Sequence, residues 1–211
     1  MSNHPLRFES VLEREFAHSM LKFLRSDALL KSQVEVKTLC GVFRLDFVVT
    51  CPPDYRIAFE CDGKEFHDES RDEFRDAIII GDVFVDSIYR LRGSDITYHI
   101  EDLIYIISLW NPELFSTRSH IVLGQLKSSE VTKVEKSIDL TATLAHIRYL
   151  VDSTGDKMPH GLWVERQYRS KTNSFIKTWR SGQYEFAQKQ GGGKLEELYA
   201  AYYDDLLSRM K

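Results

Sequence analysis

The stretch GVFRLDFVVTCPPDYRIAFECDG, residues 41–63, holds two runs rich in β-branched and aromatic residues on either side of Cys51-Pro52-Pro53-Asp54. Prolines cannot donate to a sheet ladder and favour turns, so residues 42–50 and 55–62 read as two strands of a hairpin. Side chains alternate between faces along a strand. Arg44, Asp46 and Val48 therefore share one face of the first strand, with Leu45, Phe47 and Val49 on the other. Ala58, Glu60 and Asp62 share a face of the second strand, opposed by Ile57, Phe59 and Cys61. With the turn centred on Pro53, cross-strand partners carry numbers summing to about 106, which sets Asp46 opposite Glu60 and Arg44 opposite Asp62.

Two carboxylates facing each other across strands repel. With Cβ atoms roughly 5 Å apart, one must be protonated or a cation must lie between them. Hard oxygen ligands from two or three carboxylates, with positions open for water, suit magnesium or manganese. Such an ion polarises a phosphoryl oxygen, lowers the pKa of a bound water and steadies a leaving oxygen. Asp46, Glu60 and Asp62 thus point to phosphodiester hydrolysis. The bland alternative is an Asp62 salt-bridged to Arg44 and a Glu60 at an exposed sheet edge.

Upstream, Phe8, Leu12, Phe16, Met20, Leu21 and Leu24 fall near helical spacing and predict an amphipathic helix over residues 8–24, followed by a short strand at 33–39. Downstream, the pattern predicts a helix over 71–80 ending at Gly81, a strand over 83–91, and a helix over 96–109 closed by Asn111-Pro112. The order α-β-β-β-α-β-α predicts an α/β fold, a mixed sheet with helices on its faces. Beyond residue 116 the reading is helical. Residues 128–151 supply Val131, Val134, Ile138, Leu144, Ile147 and Leu150; Gly191-Gly192-Gly193 reads as a flexible joint; Leu195, Leu198, Tyr202, Leu206 and Met210 form a last amphipathic helix. The expected division is a core domain over residues 1–116 and a helical, locally basic extension over 117–211.

A chain of 211 residues allows one sizeable domain, or one with a smaller appendage, and a core that needs neither disulfides nor structural metal. Its 43% hydrophobic and 28% charged residues are those of an ordinary soluble protein. Cys40, Cys51 and Cys61 show no CxxC spacing, which argues against a zinc knuckle or disulfide framework and for a reducing cytoplasm. The N-terminal MSNHPLRFES lacks an apolar signal-like run, and no stretch approaches the roughly 18 apolar residues of a membrane span. Net charge is −4, from 28 basic and 32 acidic residues. Yet residues 160–194 carry seven basic residues against Glu165 and Glu185. There Trp163, Tyr168, Phe175, Trp179 and Tyr184 interleave with Arg169, Lys171, Lys177 and Arg180. Cations between stacking rings compose a nucleic-acid-binding segment, or else an amphipathic segment packed on the core.

The segments FRLDFVV, IAFECDGKEFH, RDEFRDAIIIGD and IYRLRGSDI together resemble the PD-(D/E)XK nuclease superfamily. Within it, the chain is similar to the branch of very-short-patch-repair endonucleases, whose pattern runs DF…ExDG…H…D..RD…G…R. The resemblance covers about residues 9–107. It implies a restriction-endonuclease-like fold, DNA as substrate and Mg2+ or Mn2+ as cofactor. It makes Asp46 and Glu60 metal ligands, Asp62 a further acidic member of the site, and Glu13 of LEREF the helix acid that often completes such sites. His67 falls where that branch carries a histidine beside the scissile phosphate. Two departures stand out. Leu45 replaces the proline of the eponymous motif, and the lysine expected two residues after Glu60 is Asp62, with Lys64 displaced past Gly63. The lysine's role would pass to His67, to Lys64 or to the metal-bound water.

Arg75 sits at i+3 from Asp72 and one residue before Asp76, which alone reads as a helix-surface salt bridge; the resemblance raises it to a phosphate contact. Arg90 and Arg92 share a strand face and either hold a nucleic-acid backbone or cap neighbouring acids. Arg169, Lys177 and Arg180 are the expected phosphate contacts of the basic segment. The expectation is a metal-dependent DNA endonuclease. Its rival is a catalytically inactive nuclease-fold module that binds nucleic acid or serves as an interaction subunit of a defence or repair complex. The last helix could also seam a homodimer.

Overall fold

The hairpin forms where the alternation places it: β2 spans Gly41–Cys51 and β3 spans Tyr55–Asp62, joined through a cis Pro52–Pro53 bond. The computed structural model describes residues 5–63, 69–149, 161–169 and 179–209. With β1 (Leu29–Thr38), β4 (Ser87–Arg92), β5 (Leu144–Arg148) and β6 (Gly161–Tyr168), the hairpin builds a six-stranded mixed sheet of order β1-β2-β3-β4-β6-β5. Only β3 and β4 run parallel; α2 (Glu69–Gly81) lies between them in the chain.

The hairpin register is the expected one, Phe47 opposite Phe59 and Val48 opposite Ala58, but the ladder stops at Phe47. Beyond it β2 stays with β1 (Val34 opposite Leu45, Glu35 opposite Arg44), whereas β3 stays with β4 as far as Asp62 opposite Arg92. The two strands part. Asp46 and Glu60 are therefore not ladder partners, and Arg44 does not face Asp62. The Arg44 guanidinium instead reaches Glu9 at 2.6 Å.

One sheet face carries Phe47, Phe59, Tyr89, Leu91, Leu162 and Val164 under α1 (Val11–Leu21) and α4 (Ile100–Trp110). Phe16 and Tyr89 flank Phe59 at 5.2 Å between ring centroids, edges and faces offset as aromatic pairs prefer. The other face carries Val48, Ala58 and Ile88 under Ile79 and Ile80 of α2. Outside α2 pack α7 (Trp179–Lys189) and α8 (Leu195–Arg209), where Phe74 and Ile78 meet Ala187, Leu198 and Tyr202. Tyr184 lies so close to Gly81 that a Cβ there would fall 2.1 Å from its ring, so only glycine fits. Among the described residues, no helix is long and apolar enough to cross a membrane.

Several elements differ from expectation. The stretch 128–151 is not one helix. After α5 (Thr117–Leu126), α6 covers only Ser129–Val134, and the chain then enters β5, where Ala145 and Ile147 are buried between exposed Leu144, His146 and Arg148. β6 docks against β4, so the sheet runs across the expected division at residue 116 and the C-terminal half is not solely helical. The strand expected from residue 83 begins at Ser87: Val83 takes a positive φ of 62°, and Asp86 accepts the Arg56 N–H through its side chain. The helix expected over 96–109 is broken at His99 into α3 (Gly93–Tyr98) and α4.

Candidate active site

The parting of β2 and β3 opens a cleft of about 410 Å3 lined by Glu13, Asp46, Glu60 and Asp62, with Arg75 and Arg90 at its wall. Each acid arrives by a distinct local device. Glu13 belongs to the first turn of α1, where the Ser10 hydroxyl accepts the Glu13 N–H at 3.1 Å and the Glu13 carboxylate accepts the Glu9 N–H at 2.9 Å. This is close to a capping box, which satisfies helix-end donors reciprocally and fixes the acid's direction. The Gln33 amide donates to the same Glu13 oxygen at 2.9 Å, from a residue held at φ 52° where the β1–β2 ladder skips a pair between Ser32 and Val34. Asp46 accepts the Cys61 N–H at 2.9 Å, so its side chain substitutes for the ladder bond lost where the strands diverge. Glu60, 6% exposed, accepts from Arg75 of α2 at 3.1 Å; Arg75 also donates to the Arg44 carbonyl and so bridges the gap between β2 and β3.

Arg90 is the electrostatic hub. It grips Asp76 through two nitrogens at 2.8 and 3.0 Å, and also touches Asp72 at 3.2 Å and Asp62 at 3.4 Å. Burial works against its charge, but the Asp76, Asp62 and Asp72 carboxylates overcome that and hold the guanidinium above its ordinary value. Glu60 is the converse case: burial pushes its carboxyl up to about 8, with Arg75 opposing and Asp46 adding to the rise. Asp46 is raised as well, by burial first and by the neighbouring Glu13 and Asp62. Two adjacent acids that both resist ionisation are a place where a cation or a proton is welcome.

The structure thus brings together Asp46, Glu60, Asp62 and Glu13, together with Arg75 and Arg90. Arg75 faces Glu60 and Arg90 binds acids, so both are engaged inside the protein. The alternative of an exposed Glu60 and an Arg44–Asp62 pair is replaced by a buried Glu60 and an Asp62 facing Arg90. Arg92 is exposed and lies over the Trp163 indole at 4.7 Å. Arg169 donates to the carbonyls of Ile80 and Gly81 at 2.8 and 3.1 Å, satisfying the C-terminal end of α2. His67, Lys64 and Lys177 lie outside the described residues, as does the side chain of Arg180. Asp72 and Asp76, read from the sequence only as surface salt-bridge partners of Arg75, are instead buried partners of Arg90. Their spacing with Ile79 and Ile80 sets them on the apolar, sheet-facing side of α2, where a carboxylate needs a partner.

As a cation site, the cleft fits by donor type, since all four acids offer hard oxygens. Among the described residues, however, no three His, Cys, Asp or Glu side chains stand close enough to hold a metal ion. No family model, curated protein or solved structure matches the chain.

Proposed function

We propose that this protein is a metal-dependent nuclease that hydrolyses phosphodiester bonds in DNA, on a restriction-endonuclease-like fold of the PD-(D/E)XK type. One observation carries the reading: where β2 and β3 part, Asp46 and a buried Glu60, both raised from their ordinary values by burial, share a cleft with Asp62 and Glu13. Asp46 and Glu60 would hold a Mg2+ or Mn2+ ion, with Asp62 at the rim; such an ion supplies an activated water and charge compensation for the phosphoryl oxygens. The chain's own part is to set that site. The capped α1 aims Glu13, the Cys61 N–H fixes one Asp46 oxygen, and Arg75 orients Glu60 while keeping a positive charge within reach of a phosphate. The choice of DNA rests on the likeness of residues 9–107 to very-short-patch-repair endonucleases.

A second reading has its own support. Arg75 and Arg90 already neutralise Glu60, Asp62, Asp72 and Asp76, and the four cleft acids do not converge as a ligand set. That arrangement suits a nuclease-fold module that binds nucleic acid or joins a defence or repair complex without cutting. Incubation with supercoiled plasmid in Mg2+, Mn2+ or chelator separates the two. Metal-dependent nicking or linearisation is expected. Intact plasmid under all conditions, with DNA still bound, would leave the second reading standing.

A further inference from the structure

Gln33 takes its left-handed φ of 52° in the middle of β1, and the strand has a use for the turn. Leu30 packs with Phe47 and Val49 under α1 and α4, whereas Val34 and Val36 pack with Leu45 under α2. Strict alternation would hold Leu30, Val34 and Val36 to one face, and Leu45, Phe47 and Val49 likewise, so both strands change phase between these residues. The register does not slip. Ser32 pairs with Phe47 and Val34 with Leu45, and the pair between them, Gln33 with Asp46, is left out of the ladder. A left-handed residue makes that change without an inserted residue. Glycine adopts the conformation freely, and asparagine or aspartate more readily than most side chains; glutamine has no such advantage. The turn accounts for the backbone at this position and not for the side chain.

What glutamine adds is reach. Its amide donates to Glu13 Oε2 at 2.9 Å, the same oxygen that accepts the Glu9 N–H at 2.9 Å. Its own carbonyl oxygen is enclosed and meets no donor among the described residues. Reversing the amide would not lift that cost, because the carbonyl would then face a carboxylate. A strained backbone and an unanswered acceptor are thus both borne for one contact, a combination that collects at functional sites. The contact is also of a particular kind. Arginines hold Glu60 and Asp62, whereas neutral N–H groups hold Asp46 and Glu13. Among the described residues, no cationic side chain stands at ion-pair distance from either of the latter two. A neutral donor fixes the direction of a carboxylate without cancelling its charge. We propose that Gln33 is a positioning residue of the acidic cleft: it ties down one oxygen of Glu13 and leaves the other, with the charge, to a divalent cation. This rests on the nuclease reading for what the cation does there. Losing an outer partner of a metal-binding carboxylate lowers metal affinity or activity about ten- to hundredfold.

The test uses the full chain, with Mn2+ affinity read by titration calorimetry, stability by thermal melts in chelator, DNA affinity in Ca2+ and cleavage by the plasmid assay. Gln33→Gly relieves the backbone while deleting the amide. Its melting temperature in chelator should equal or exceed that of wild type, while Mn2+ affinity and cleavage rate fall about ten- to hundredfold and DNA affinity stays unchanged. Gln33→Asn also suits a left-handed φ but holds its amide one methylene short of Glu13, so it should match the glycine variant. On a Glu13→Ala background, Gln33→Gly should cost nothing further in Mn2+ affinity, since the glutamine acts through that carboxylate. A lowered melting temperature in Gln33→Gly with Mn2+ affinity intact marks the glutamine as merely structural and overturns the proposal. So does a full further loss on the Glu13→Ala background, or no Mn2+ uptake by wild type. If wild type cuts plasmid and Gln33→Gly binds Mn2+ and cuts equally well, the positioning role falls and the nuclease reading survives. If wild type binds Mn2+ without cutting, and Gln33→Gly binds it more weakly, the positioning role stands and the nuclease reading falls.

Discussion

Replacing Arg90 by methionine should cost this protein more than any other single change near the cleft. The methionine keeps an unbranched stem of similar bulk but removes the cation that Asp76, Asp72 and Asp62 share. The Asp76 side chain is 1% exposed and that of Arg90 13%, so the stranded carboxylate has little water to turn to. Breaking a buried pair from one side costs about 3–5 kcal/mol, chiefly through the uncompensated charge left behind. For a chain of this size each kcal/mol lowers the melting temperature by about 2–4 °C, so a fall of roughly 10 °C is expected. Urea unfolding of wild type and variant reads the deficit directly. Adding Asp76→Leu to Arg90→Met should recover much of the loss, because an apolar pair can replace a buried ionic one. A deficit below about 1 kcal/mol, the range of exposed ion pairs, would refute the account of Arg90 as the hub.

Asp46→Asn keeps an acceptor for the Cys61 N–H but removes charge, so it should abolish metal-dependent plasmid cleavage while its melting temperature in chelator stays equal to or slightly above wild type. Glu60 titrates near 8 folded against an ordinary 4.5, so the stability of the metal-free protein is full below the lower value and is lost as pH rises through the upper one. Glu60→Gln should remove that loss, and thermal melts in chelator should show the variant gaining on wild type between pH 6 and 9, as an order-of-magnitude window; parallel curves would contradict the burial argument. Arg169→Ala should lower stability by about 1–2 kcal/mol by freeing the last carbonyls of α2, with the salt slope of DNA affinity unchanged; a flattened slope would return Arg169 to the nucleic-acid surface.

The hairpin was legible because two signals agreed there: strict alternation on both sides and a proline turn whose centre fixes the register. The register sum held at Phe47 and Phe59 and then lost its meaning, since nothing in the residues announces where two strands part. What marks the point is a side chain taking over a backbone bond, Asp46 to Cys61, and Gln33 at a left-handed φ, both invisible to a period-two pattern. The acids therefore share one cleft, but by a geometry of divergence instead of direct opposition. The strands of the C-terminal half were missed for a different reason. In β5 the buried residues are Ala145 and Ile147, while the more conspicuous Leu144 points to solvent and, three residues before Ile147, mimics helical spacing. In β6 the apolar alternation Leu162, Val164 is broken by buried Arg166, whose guanidinium donates to the carbonyls of Leu140 and Ala142 and covers the Trp110 ring. A charge buried by backbone carbonyls reads, in sequence, as a surface residue.

The docking of β6 against β4 has a consequence for how the molecule comes into being. As the chain leaves the ribosome, the first four strands can pair among themselves, but β4 then ends the sheet with a row of unanswered N–H and C=O groups. That border stays bare while the residues between Arg92 and Gly161 are still being made, at about 5–20 residues per second, and so for several seconds. A half-made chain is thus an invitation to another half-made chain, and crowded synthesis is the condition under which this protein is most exposed to mispairing.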